Sequence, residues 1–137
     1  MQRNYSHTVI DHAMNPRNIG KIEGAEGHAR FTGPCGDIME IFLRIQNNVI
    51  TEVSFMTDGC GTSLASGSMV TELVKRKHIQ AAYRINQKNV LEALGGLPEE
   101  DEHCALLAAS TMKLAVQDYL STRNHLWKRM YKPGERS

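Results

Sequence analysis

The chain has no fourth cysteine, no excess of either charge and no long apolar run in its 137 residues. Each absence narrows what it can be. Sixteen Lys and Arg against 15 Asp and Glu leave a formal charge of +1, which gives no electrostatic reason to expect a nucleic-acid or bilayer partner. Nothing approaches the roughly 18 consecutive apolar residues of a membrane span. The start, Met1-Gln2-Arg3-Asn4-Tyr5-Ser6, lacks the apolar core of a signal peptide, so a cytoplasmic location is expected. Ser63, Ser66 and Ser68 cluster, but no Gly-x-Ser-x-Gly elbow surrounds them, which argues against a serine hydrolase. Internal repeats and low-complexity segments are missing too. What remains is one domain of ordinary size that needs no disulfide to fold.

What is present begins with a change of period along the chain. Val9, Ile10 and Met14 suit a short amphipathic helix with Ser6 as N-cap and Asn15-Pro16 ending it. Gly20 to Gly27 reads as a loop. Met39, Ile41, Leu43 and Ile45 then alternate with Glu40, Phe42 and Arg44, and Val49, Thr51, Val53 and Phe55 alternate with Ile50, Glu52 and Ser54. That is a hairpin, and a strand over His28 to Thr32 would make the sheet three-stranded. Beyond Gly61 the pattern turns helical, with Leu64, Met69, Val70, Leu73 and Val74 on the apolar side. Helices follow over Ile79 to Ile85, over Asn89 to Leu94 before Gly95-Gly96, and from Glu102 with Leu106, Leu107, Met112, Leu114, Val116 and Tyr119 apolar. Strands followed by helices predict an α+β fold, a small antiparallel three-stranded sheet packed against a helical layer. The domain is expected over 1–125, with 126–137 a C-terminal extension or tail.

The three cysteines lie in Gly33-Pro34-Cys35-Gly36-Asp37, Asp58-Gly59-Cys60-Gly61 and Glu102-His103-Cys104. In a reducing compartment they are thiols, metal ligands or redox groups rather than a bridge with one left over. Free cysteines are often no more than small buried hydrophobes. Three of them beside glycine or histidine favour a metal site instead. Soft thiolates select zinc, copper(I) or iron-sulfur centres, and His103 or Asp37 would complete a four-coordinate shell. Cys60 precedes a helix and Cys104 lies in the first turn of another, where thiolate is favoured, although the acids Glu99-Glu100-Asp101-Glu102 oppose that effect at Cys104. The other histidines, His7, His12, His28, His78 and His125, have no cysteine neighbour and are expected mostly at the surface or at caps.

Four stretches in order carry a resemblance. They are Asp11-His12 through Asn15-Pro16-Arg17-Asn18-Ile19-Gly20; Cys35-Gly36-Asp37-Ile38-Met39; Asp58-Gly59-Cys60-Gly61 with Ala65 through Glu72; and Leu97-Pro98 through His103-Cys104. From Tyr5 to about Tyr119 the chain resembles the U-type iron-sulfur cluster scaffold family, the IscU/NifU-like proteins. The resemblance implies an IscU/SufE-like α+β sandwich with the three cysteines at one exposed end. It implies a scaffold rather than an enzyme: sulfur arrives from a cysteine desulfurase, combines with iron, and the cluster passes to apo-proteins. Cluster ligands would be Cys35, Cys60 and Cys104 with His103 or Asp37, and Cys104 would accept the persulfide. Asp37 matches the aspartate associated with cluster lability. A 2Fe-2S cluster suits one subunit, a 4Fe-4S cluster a homodimer, and zinc would occupy the same ligands in isolated protein.

Two departures classify the chain further. Leu97-Pro98-Glu99-Glu100-Asp101 stands where scaffolds served by a dedicated Hsp70 carry Leu-Pro-Pro-Val-Lys, and this charge reversal argues against that partner. The zinc-dependent sulfurtransferase branch, the alternative reading, has a long insertion between its second and third cysteines and lacks the histidine; this chain has neither feature. A Cys104-His103 nucleophile in a true enzyme is disfavoured, because neighbours on a helix point about 100° apart. A zinc-stabilised binding module is the third class. The tail offers Leu126-Trp127-Lys128-Arg129-Met130-Tyr131, read as an extra helical turn or solvated end, or as a docking surface for the desulfurase.

Overall fold

The computed structural model describes residues 4–130, with side chains over 4–122. Three strands, β1 (Gly27–Thr32), β2 (Ile38–Gln46) and β3 (Val49–Thr57), form an antiparallel sheet in the order β1-β2-β3. Five helices accompany them: α1 (His7–Met14), α2 (Gly61–Val74), α3 (Ile79–Arg84), α4 (Gln87–Leu94) and α5 (Glu102–Met130), the last entered through a 3₁₀ turn at Glu99–Asp101. The α+β class and the three-stranded sheet stand as the periodicity predicts. Helix α5 lies along β1 and β2, α2 packs against β3 and α5, and α1 and α4 pack on α2.

Period two puts Met39, Ile41, Leu43 and Ile45 into the core, where Met39, Ile41 and Leu43 are fully buried. On β3 the alternation breaks. Leu43 faces Val53 and Arg44 faces Glu52, but Ile45 faces Ile50, so Thr51 is an extra residue in a bulge. The bulge reverses the side on which residues before it point, and Ile50 is buried with Val53 and Phe55 while Thr51 is exposed. Strict alternation through Val49 and Thr51 is therefore corrected.

Helix α1 begins where expected, the Ser6 hydroxyl accepting from the Val9 N–H at 3.0 Å. Its buried face is different. Val9 and His12 point inward, whereas Ile10 is 51% and Met14 75% exposed. His12 is held inside because Nδ1 lies 2.6 Å from the Ser68 hydroxyl of α2, and Ser68 also accepts from the Arg17 N–H at 2.9 Å. Burial, with the Arg17 charge nearby, keeps the ring below the ordinary histidine value, only partly offset by Asp11 and Glu72. His78 caps α3, accepting from the Gln80 N–H at 3.1 Å.

Most of α2 is buried rather than a single stripe. Gly67 explains how it comes so close to the sheet, since a Cβ there would meet the Phe55 ring at 2.5 Å. Helix α4 stops at Gly95, whose φ of +79° closes the last turn. On α5, Leu107, Met112 and Val116 are buried as expected, but Leu106 is 44% exposed and not part of the core face. The backbone of α5 continues to Met130. The expected tail lies outside the described residues from Tyr131 onward, as do the side chains of His125 and of Leu126 to Met130.

Candidate functional site

Register brings the motifs together. Thr32 pairs with Ile38 and Met39 with Thr57, so the turn 33–37 and the loop 58–60 leave the sheet at the same end. Cys60 is the N-cap of α2 and Cys104 lies in the first turn of α5, which comes beside the 33–37 turn at Leu107. Three separate segments thus converge, each through residues singled out by motif.

At the centre, a carboxylate oxygen of Asp37, Cys60 Sγ and Cys104 Sγ all lie within 4.8 Å of one another. Two thiols and a carboxylate at this separation are close to what one four-coordinate metal would draw together, with Zn–S or similar bonds of about 2.3 Å. His103 stands beside the set, its Nε2 3.7 Å from Cys104 Sγ. Cys35 is exposed at the tip of the turn and outside the compact group. That turn is pinned by the Gly36 N–H on the Gly33 carbonyl at 3.0 Å and the Gly33 N–H on the Asp37 carbonyl at 2.8 Å, with Gly36 at φ +91°.

Two hydroxyls link the donors. Thr62 Oγ1 is 3.0 Å from Cys60 Sγ and 3.3 Å from Cys104 Sγ. The Ser63 hydroxyl donates to Asp37 Oδ2 at 2.9 Å and touches Cys104 Sγ at 3.5 Å. Neither residue stood out in the sequence as a site residue, and Ser63 appeared only as part of a serine cluster. The readable signal was their position, two and three residues after a cysteine that ends a loop and starts a helix.

The two thiols differ chemically. Burial alone would raise the Cys60 thiol, but hydrogen bonds from the Thr62 hydroxyl and from the Ser63 and Thr62 N–H groups outweigh it and leave the thiol below its usual value. Cys104 goes the other way. It is only 1% exposed, and burial pushes its thiol up despite Ser63 and Thr62, with the charges of Cys60 and Asp101 adding to the rise. The expectation of three cysteines at an exposed end is corrected for Cys104, and the helix start does not decide its ionisation. Asp101 is itself buried and accepts from the Tyr5 hydroxyl at 2.8 Å.

Beside Cys60 a cavity of about 300 Å³ is lined by Tyr5, Ile10, Met14 and Thr62 among others, so the exposed apolar residues of α1 form its wall. No helix among the described residues is long and apolar enough to cross a membrane.

The chain is similar to known proteins. Residues 4–125 match the NifU-like N terminal domain. The iron-sulfur cluster assembly scaffold protein IscU 1 of Archaeoglobus fulgidus is 46% identical over 116 residues, 84% of this chain and 76% of that protein. The IscU scaffold of Aquifex aeolicus is 43% identical over 123 residues, 88% and 78% of the two chains, and that of Haemophilus influenzae 38% over 120, 84% and 94%. In fold, a nitrogen-fixing NifU-like protein (N-terminal) from Brucella abortus superposes with a TM-score of 0.67 at 18% identity, over 85% of this chain and 94% of that one. A domain match over most of the chain, joined to relatives this similar across three quarters or more of their own lengths, shows that the chain belongs to the NifU-like N-terminal domain family.

Proposed function

We propose that this chain is a scaffold on which an iron-sulfur cluster is assembled and from which it is handed to apo-proteins, not an enzyme that turns over a substrate. The observation that carries this is the meeting of Asp37, Cys60 and Cys104 within 4.8 Å at the end of the sheet. Two soft thiols and one hard carboxylate bind iron while leaving one position weakly held, which suits cargo that must leave. With Cys35 as the third thiolate, the fourth ligand is Asp37 or His103, the latter in the first turn of α5. Such a set suits a 2Fe-2S cluster in one subunit, and a 4Fe-4S cluster would need donors from a second copy. Zinc fits the same donors and would be bound by protein purified without iron.

Sulfur would come from a cysteine desulfurase as a persulfide. The attacking thiolate takes the outer sulfur, a new S–S bond forms, and the donor cysteine leaves as thiolate. Cys35 and Cys60 are the exposed thiols open to an incoming donor, and Cys104, the proposed carrier, is buried beside Cys60. The Cys60 and Cys104 sulfurs are close enough for transfer from one to the other. Glu99 and Glu100 on the 3₁₀ turn are exposed acids where a dedicated Hsp70 would need a basic, apolar segment, so cluster transfer should proceed without that chaperone.

Anaerobic incubation with iron, cysteine and a desulfurase tests the reading. Visible absorbance with matched iron and labile sulfide is expected in the unaltered chain and much reduced in Cys35→Ala, Cys60→Ala and Cys104→Ala. Full iron and sulfide content in any two of these variants would reject it, and zinc with sulfur transfer but no cluster would favour the sulfurtransferase reading.

A further inference from the structure

Buried hydroxyls on helices can bond the carbonyl one turn back. Thr71 does so to Ser68 at 2.7 Å and Thr111 to Leu107 at 2.7 Å. Thr62 and Ser63, in the first turn of α2, do not. Both are buried, and their hydroxyls lie against the side chains of the candidate donors.

We propose that Thr62 and Ser63 are positioning residues for cargo loading: Thr62 bridges the Cys60 and Cys104 sulfurs and Ser63 ties Asp37 to Cys104, so that the donors stand near their ligating arrangement before iron arrives. The proposal rests on the scaffold reading above. A hydroxyl has one hydrogen. Thr62 therefore donates to one sulfur at a time while its oxygen remains open to the other, which makes it a bridge of 3.0 and 3.3 Å rather than a bond to either alone. The Ser63 hydrogen goes to the carboxylate, because 2.9 Å to Asp37 Oδ2 is a full hydrogen bond and 3.5 Å to sulfur is a weaker contact.

The neighbouring backbone is built around this pair. A Cβ on Gly59 would lie 2.5 Å from Ser63 Oγ and 2.7 Å from Asp37 Oδ2, so the loop closes directly over their hydrogen bond. With Asp37 carried by the strand β2 entry, Cys60 and both hydroxyls by α2, and Cys104 by α5, the two hydroxyls are direct side-chain contacts to donors from three elements. Groups that orient metal ligands in this way typically change metal affinity by about 10- to 100-fold when removed.

Cobalt(II), added anaerobically to the metal-free full chain, reports both affinity and thiolate coordination through its sulfur-to-metal charge-transfer bands. Thr62→Val, which keeps shape and loses the hydroxyl, should weaken cobalt binding by about tenfold or more, with Thr62→Ser restoring it. Ser63→Ala should weaken binding by a comparable factor and alter the ligand-field bands as Asp37 is released, with Ser63→Thr restoring both. Melting temperatures of the metal-free variants separate this from a packing role, which would lower stability without changing the spectrum of the bound metal. If Thr62→Val fails to fold, Thr62→Ala against Thr62→Ser applies the same criterion. Unchanged affinity and spectrum in both hydroxyl-deleted variants would overturn the proposal. A different result, thiolate bands absent from the unaltered chain or undiminished in both Cys60→Ala and Cys104→Ala, would instead remove the scaffold site itself.

Discussion

Cys60 is flanked by two glycines, and the structure gives them opposite roles that a pair of alanine substitutions separates. Neither has a positive φ, so alanine meets no backbone strain at either position. At Gly61 the new Cβ would find Ala13 at 3.7 Å, an ordinary contact. Gly61→Ala should then stabilise by about 0.4–1 kcal/mol through the unfolded chain. At Gly59 the new Cβ would lie 2.5 Å from Ser63 Oγ, 2.6 Å from Ser63 Cβ and 2.7 Å from Asp37 Oδ2. Accommodating it by overpacking costs about 1–3 kcal/mol, and parting Ser63 from the Asp37 carboxylate loses a charge-assisted bond of about 1.5–3 kcal/mol. Set against a gain of about 0.4–1 kcal/mol, the middle of either range leaves a net loss of about 1–2 kcal/mol. With an unfolding entropy of about 2.1 cal/mol/K per residue, roughly 0.3 kcal/mol/K for this chain, Gly59→Ala should melt about 3–7 °C lower and Gly61→Ala about 1–3 °C higher. Thermal melts of the metal-free proteins by far-UV circular dichroism measure the first half of the prediction; anaerobic cluster yield measures the second, reduced for Gly59→Ala and retained for Gly61→Ala. Equal melting temperatures, or a full cluster yield in Gly59→Ala, would refute the claim that this glycine is required by the Asp37–Ser63 pair.

In the metal-free protein, Cys35 and Cys60 should be alkylated by iodoacetamide well before Cys104, since exposure and hydrogen bonding favour Cys60 while burial raises the Cys104 thiol; peptide mass spectrometry after short exposures gives the order, and modification of Cys104 first would contradict the buried geometry. His12 binds its proton less readily folded than unfolded, so stability should fall as pH drops through the ordinary histidine value near about 6.5. His12→Gln should flatten that dependence, and a variant with an unchanged slope of melting temperature against pH would assign the effect elsewhere. Asp37→Ala should load a cluster in lower yield, as Gly59→Ala does, but once loaded lose it to a chelator more slowly than the unaltered protein, because the hardest donor of the set has gone. Faster decay of visible absorbance in that variant, with His103→Ala unaffected, would make Asp37 an anchor.

Hydrophobic period and punctuation were enough to read the secondary structure, because inward positions of β2 and the glycine stop after α4 depend on residues adjacent in the chain. The same local signals misplaced β3 before the bulge. Thr51 is compatible with a regular strand, and only the pairing of Ile45 with Ile50 requires the extra residue. Helix α1 shows a second limit: Ile10 and Met14 look like core by composition, yet the Ser68 hydroxyl on α2 draws His12 inward instead. For the site, the chain itself determined which residue types were present, three cysteines with an aspartate and a histidine in motif contexts, and so the soft-metal chemistry available to it. Tertiary structure decided how those residues stand to one another. Antiparallel register placed the 33–37 turn beside the 58–60 loop, and the docking of α5 on β1 and β2 buried Cys104 while leaving Cys60 and Cys35 exposed. The contrast between two thiols of identical covalent structure, one lowered and one raised, comes from solvent exposure and from hydroxyls beside them, and the contact of Thr62 with Cys104 spans 42 residues of chain, a separation that no local pattern encodes.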